Sequence, residues 1–156
     1  MSFKNLDWLA IDGFNIAVVK PRPFTGGSAN TRGDTAGTAN PFTLFTVTGT
    51  VLVRIFGVCT VDVAGAGTIE VGVTGNTAAL IAQVVDATVI DQNDIYNDAT
   101  PVAGVETLAN ITGPFVVANG LDIIETVGTA DLTAGNIYYV LLWRPLSDDG
   151  FVQAAV

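Results

Sequence analysis

Apolar and polar residues alternate with a period of two in one segment after another, the pattern of β-strands that bury one face. In VLVRIFGVCTVDV (51–63), Val51, Val53, Ile55, Cys59, Val61 and Val63 share one parity, with Gly57 between them. Arg54, Thr60 and Asp62 take the other. The longer run TLFTVTGTVLVRIFGVCTVDV is rich in β-branched residues and predicts two strands meeting near Gly49. AGAG (64–67) then turns into TIEVGVT, where Ile69, Val71 and Val73 point inward while Glu70 and Thr74 point out. Further strands are predicted at 16–20, 79–83, 102–108, 114–118, 121–127, 137–143 and 151–155, with turn signals at Gly75-Asn76, Asn119-Gly120 and Asp149-Gly150. NTAALIAQVVDA also fits a short helix capped by Asn76. NIYYVLLW is apolar on both parities, which predicts a central strand covered on both sides. DLTAGNIYY (131–139) has the Asp-then-Tyr order of a corner in which a tyrosine hydroxyl bonds upstream backbone. The fold expected is all-β: a single antiparallel β-sandwich or jelly-roll-like body with an extended N-terminal arm.

Two segments precede that body (42–156). Residues 1–20 mix aromatic and aliphatic residues without a clean period, and 21–41 (PRPFTGGSANTRGDTAGTANP) are almost wholly Pro, Gly, Ser, Thr, Asn and Ala. Such a composition buries too little apolar surface to offset its ordering entropy, so 1–41 is expected to be an arm and mobile linker. Charge follows the same division. Residues 1–41 hold four cations against three acids, and 42–156 hold Arg54 and Arg144 against twelve, within a net charge of −9. An acidic body repels phosphate backbones, which argues against a nucleic-acid partner. No apolar stretch reaches the roughly 18 residues of a membrane helix, and Asp7 and Asp12 interrupt the early apolar run, so neither a membrane partner nor a signal peptide is expected. Charged residues make up only 13% of the chain, against about 25% in ordinary soluble domains, which points to surface covered by other protein.

The chemistry-bearing residues are few. Histidine is absent, which removes the commonest general base and the imidazole metal ligands. Cys59, the single cysteine, lies on an inward parity where a thiol behaves as a small hydrophobe, and it has no disulfide partner in the chain. GAGT (65–68) and VTGNTA (73–78) lack the Lys-Ser/Thr ending and following helix of a phosphate loop. Among the three glutamates, Glu125 shares its parity with Leu121, Ile123 and Val127, and so is expected partly buried, either in a carboxylate pair, beside Arg54 or Arg144, or facing a neighbouring subunit. VIDQNDIYND (89–98) offers hard oxygens, but its spacing misses the calcium-loop pattern and no glycine follows. Asp and Asn also favour such loops by bonding their own backbone. Arg32-Gly33-Asp34 spells an integrin-read tripeptide in a segment suited to display, and Asn110-Ile111-Thr112 is a glycosylation sequon that matters only on secretion. No cofactor, catalytic residue or metal ligand is assigned, and the chain is read as a non-enzyme.

At RIFGVCTVDVAGAGTIEVGVTGNTAALIAQ (54–83) and VGTADLTAGNIYYVLLWRPLSDDG (127–150) the chain resembles small virion structural proteins of tailed bacteriophages, most of all capsid decoration proteins. The resemblance spans roughly 42–156 and includes no active-site motif. It implies a virion location on the capsid surface, synthesis in a host cytoplasm, and two partners. These are a major capsid protein and other copies of the chain, as a homo-oligomer with a trimer favoured. Aromatic anchors dominate interface energetics, so the expected contacts are Phe3, Trp8, Phe14 and Phe24 in the arm. Arg22 and Arg32 are expected at its rim, and Ile95 and Tyr96 in the acidic loop. Alternatives of a receptor- or glycan-binding tail module, or a tail-tube or head-completion protein, follow from the same texture.

Overall fold

The alternating segments stack as two antiparallel sheets. The structure, a computed structural model, describes residues 13–28 and 30–156. Its strands are β1 (Asn15–Val19), β2 (Phe42–Thr48), β3 (Val51–Ala64), β4 (Thr68–Val73), β5 (Asn76–Val84) and β6 (Asp94–Tyr96). They continue with β7 (Val102–Ala103), β8 (Phe115–Val117), β9 (Ile123–Gly128), β10 (Ala134–Pro145) and β11 (Phe151–Ala154). One sheet runs β1-β10-β3-β6-β7, with β8 also paired to β3; the other runs β11-β2-β9-β4-β5. The inner faces supply a single core in which Val51, Val53, Ile55 and Cys59 of β3 meet Leu44 and Phe45 of β2 and Ile69 and Val71 of β4.

The long strands lie where period two predicts them. β3 and β10 pair over eleven residue positions, from Pro145↔Val51 to Ala134↔Ala64, with a bulge around Asn136. Gly57 sits at an inward position of β3 opposite Tyr139, and a Cβ there would lie 2.7 Å from Ile137 Cγ2 and 3.1 Å from Tyr139 Cε1. The missing side chain makes room for the Tyr139 ring. Gly49, at φ +61°, turns the chain between β2 and β3 in a backbone conformation that favours glycine.

Four local expectations change. NTAALIAQV is strand β5, because its residues complete the β4 ladder; two register shifts break the alternation that would have announced it. The strand expected at 102–108 stops at Ala103, where Gly104 takes φ +78°. A short 3₁₀ turn, Leu108–Asn110, follows. β10 is central, paired with β1 on one side and β3 on the other, but its outward residues Tyr138 and Val140 are only half-buried rather than covered. No tyrosine corner forms: the Tyr139 hydroxyl donates to a carboxylate of the other sheet and not to upstream backbone.

The largest correction concerns residues 15–40. β1 is an integral edge strand of the first sheet, and 21–40, expected to be a mobile linker, are fastened to the body. Phe24 and Thr25 donate backbone bonds to the Gly135 and Arg32 carbonyls, while Gly26 N–H donates to Leu132 and Leu132 N–H to Gly33. Asn40 acts as a surrogate strand residue, its side chain accepting from Val127 N–H at 3.1 Å and donating to Val127 O at 2.7 Å. The composition rule fails here because Thr, Asn and Asp side chains satisfy backbone groups that a polar segment would otherwise leave to water. Asn30 Oδ1, for instance, accepts from both the amide and the hydroxyl of Thr38.

Candidate functional site

The most concentrated chemistry lies between the sheets. β9 places Ile123, Glu125 and Val127 inward, so a carboxylate enters the core with 1% of its residue surface exposed. An isolated ion there costs several kcal/mol in lost hydration, so the fold must supply a counter-charge. That counter-charge is Arg32, itself 4% exposed. Its Nε donates to Glu125 Oε1 at 2.9 Å and its Nη2 to Oε2 at 2.7 Å, a bidentate pair. The remaining donors go from Nη1 to Arg22 O and Asn136 Oδ1, and from Nη2 to Ile137 O, so all five N–H groups are used. The Phe24 ring covers the guanidinium at 4.0 Å. Tyr139 Oη donates to Glu125 Oε2 at 2.7 Å from the opposite sheet.

This arrangement clamps rather than reacts. Burial alone would lower the Arg32 pKa, but attraction and hydrogen bonding to Glu125 outweigh it and hold the guanidinium further into its charged form. Burial, then the Glu125 charge, pushes the Tyr139 phenol well above its usual range. Both Glu125 oxygens are occupied, and the partner is Arg32 rather than the expected Arg54 or Arg144. Cys59 is buried, with Sγ donating to Val61 O at 3.1 Å, and burial foremost raises its pKa to about 11. That is the opposite of an activated thiolate.

Two concavities adjoin the first sheet. A cleft of ≈ 550 Å³ opens beside Arg32, lined among others by Lys20, Arg22, Asn30, Thr31 and Phe42. A shallower groove of ≈ 500 Å³ lies on the sheet's outer face between Val18, Lys20, Thr60, Asn136, Tyr138 and Val140. Neither is lined by an Asp or Glu side chain, in a chain with fifteen acids and six cations, although Val156 also lines the first. The outer face itself is apolar. Register places Val18 opposite Val140, Val140 opposite Phe56, Tyr138 opposite Val58, Ile95 opposite Val58 and Val116 opposite Leu52, all outward. Val18 is 41% and Val116 63% exposed. The outer face of the second sheet instead carries Thr46, Thr48, Thr68, Glu70 and Thr126.

The expected contact residues separate into three groups. Phe3 and Trp8 lie outside the described residues. Phe24, Arg32 and Tyr96 are corrected from contacts to core: Phe24 caps the clamp, Arg32 is its cation, and the Tyr96 hydroxyl donates to Ile69 O at 3.0 Å. Phe14 lies half-buried under the Arg144 guanidinium, Arg22 is exposed at the cleft, and Ile95 is half-buried on the outer face. Arg32-Gly33-Asp34 is not displayed, since all three residues are buried and Gly33 packs against the Leu132 carbonyl at φ +98°. The acids of 89–98 bond their own turns: Asp94 Oδ2 accepts from Asp91 N–H at 2.9 Å, and Asp98 Oδ1 from the Thr100 amide and hydroxyl. Among the described residues no three acid, cysteine or histidine side chains converge as a metal-binding group.

Sequence reasoning missed the Arg32–Glu125–Tyr139 clamp because its halves lie 93 residues apart and one sits in a segment read as mobile. The available signal was Glu125 itself, an acid on the inward parity of an apolar strand. No protein-family model, no curated protein and no solved structure matches this chain.

Proposed function

We propose that the chain is a non-enzymatic structural protein of a virion, a capsid decoration protein that reinforces a head shell through contact with the major capsid protein. One observation carries this reading: the outer face of the first sheet presents Val18, Phe56, Val58, Val116 and Val140, with a β3 carboxylate only at Asp62 near the strand's end, where an isolated sandwich would turn polar residues to water. The low charged fraction supports it, as does a core whose ionisable groups are tied up in a clamp. The resemblance to phage decoration proteins supplies the shell as the partner.

Val116→Glu tests it, because Val116 is exposed on the outer face in β8, beside the start of β3, and its loss opens no cavity. Pelleting with purified expanded head shells of the encoding virus should weaken at least tenfold, about 1.4 kcal/mol, with an unchanged melting temperature. Equal pelleting of the wild type and Val116→Glu would exclude this face, and no pelleting of the wild type would exclude the function.

A further inference from the structure

The first sheet is polarised along its strand order. At one edge, β1 leads into Lys20, which lines both concavities, and Arg22, which lines the first; neither is lined by an Asp or Glu side chain. At the other edge, β6 and β7 are bracketed by Asp91, Asp98 and Glu106, with Asp62 at the end of the adjoining β3. Residues 85–110 contain no Lys or Arg; the one cation reaching them among the described residues, Arg54, donates to the Leu108 and Ile111 carbonyls rather than to a carboxylate. Asp98 and Glu106 accept only from nearby Thr and Asn groups, and Asp62 accepts from Gln92 N–H. The one salt bridge among the described residues is the buried Arg32–Glu125 pair, so it neutralises neither edge. Both edges also expose apolar side chains, Ile16 and Val18 on β1, and Val105, 82% exposed, with Leu108 beyond β7.

We propose that the basic β1 edge and groove of one copy receive the acidic β6–β7 edge of a second copy, in a head-to-tail contact. The occupant is a second copy because the two edges of the same sheet complement each other in charge, which two β1 edges facing each other would not. A net charge of −9 opposes association of identical chains through most surfaces. An approach that puts the acids of one copy onto Lys20 and Arg22 of the next turns that repulsion into attraction. β1 also pairs only with β10 among the described residues, so it is an edge strand of its sheet. A head-to-tail contact uses two different surfaces per copy, so it builds rings when the rotation closes and filaments when it does not. This inference deepens the proposed function by naming how copies join, and it rests on that reading only for its biological setting.

Light scattering and sedimentation of the full chain test it, with Lys20→Glu/Arg22→Glu as a basic-edge variant and Asp91→Lys/Glu106→Lys as an acidic-edge variant. Far-UV circular dichroism and melting serve as folding controls. The wild type should self-associate, each variant should dissociate at least tenfold more readily, and association should weaken between 0.1 and 1 M salt as the Debye length falls from about 10 to 3 Å. In an equimolar mixture of the two variants both contacts again join opposite charges, so chains of alternating variants should regain larger assemblies. The chain carrying all four substitutions, with its edges exchanged in sign, should regain larger assemblies. Wild-type association by an acidic-edge variant would overturn the proposal, as would a wild type monomeric at every concentration. A monomeric wild type that still pellets with head shells defeats the head-to-tail contact and spares the proposed function; an assembling wild type that ignores shells does the reverse.

Discussion

Arg32 spends every N–H donor inside the protein, and Glu125 keeps no oxygen free. Truncating either therefore strands a charge in the core. Arg32→Ala should lower unfolding free energy by about 3–5 kcal/mol, the range for breaking a buried pair, read from urea denaturation. Arg32→Met/Glu125→Leu should recover most of that loss, since apolar groups of similar volume often replace a buried pair at little cost. A double variant as unstable as Arg32→Ala would show that the pair holds the linker by its hydrogen bonds and not by charge balance. Cys59 carries a pH prediction. Its folded pKa, raised by burial to about 11 from 9.0, leaves the native state binding more protons than the unfolded chain between those values. Its contribution is complete below pH 9 and fades as pH rises toward 11. Burial raises the phenols of Tyr96 and Tyr139 as well, which extends the decline further into alkali. Urea midpoints measured from pH 8 to 11 should fall steadily, and iodoacetamide at pH 8 should label Cys59 only on unfolding. Rapid labelling of the native protein would contradict its burial.

At the scale of elements, the segment of 21–40 behaves as a strap. It has no strand of its own, yet it brings Phe24 and Arg32 to the core and caps β9 through Asn40. Removing residues 1–40 deletes β1, the Phe24 cap and the only buried counter-charge of Glu125. The remaining chain should lose cooperative thermal unfolding altogether, seen as a missing transition in calorimetry. A truncated chain that melts near the wild-type temperature would return the segment to the status of a dispensable arm. Gly57 illustrates the same coupling between elements: a missing side chain in β3 admits the β10 ring that completes the clamp on β9.

For the whole molecule, the two outward faces differ more than the two inward ones. The second sheet turns Thr46, Thr48 and Glu70 outward, whereas the first turns out Val18, Val116 and Val140 and carries opposite charges at its two edges. The two proposed contacts use different surfaces. The proposed shell contact lies on the outer face around Val116, and the proposed contact between copies on the β1 and β6–β7 edges. Variants in one should leave the other intact.

Alternation alone determined that the chain is a sandwich of antiparallel strands and, for β4 and for β3 as far as Cys59, which residues face the core; Val61, on the same parity, is 54% exposed beside the bulge opposite Asn136. Side-chain direction in a strand is a local property with period two. The same parity marked Cys59 as buried and Glu125 as anomalous. Tertiary structure alone decided that Arg32 answers Glu125 across 93 residues, that Tyr139 reaches a carboxylate instead of backbone, and that a Gly-Thr-Asn strap belongs to the body. Those outcomes depend on which distant groups meet in a low-dielectric interior, and nothing in local composition encodes a counter-charge. The polarity of the first sheet likewise appears only when the strand order carries β1 and β6–β7 to its opposite edges.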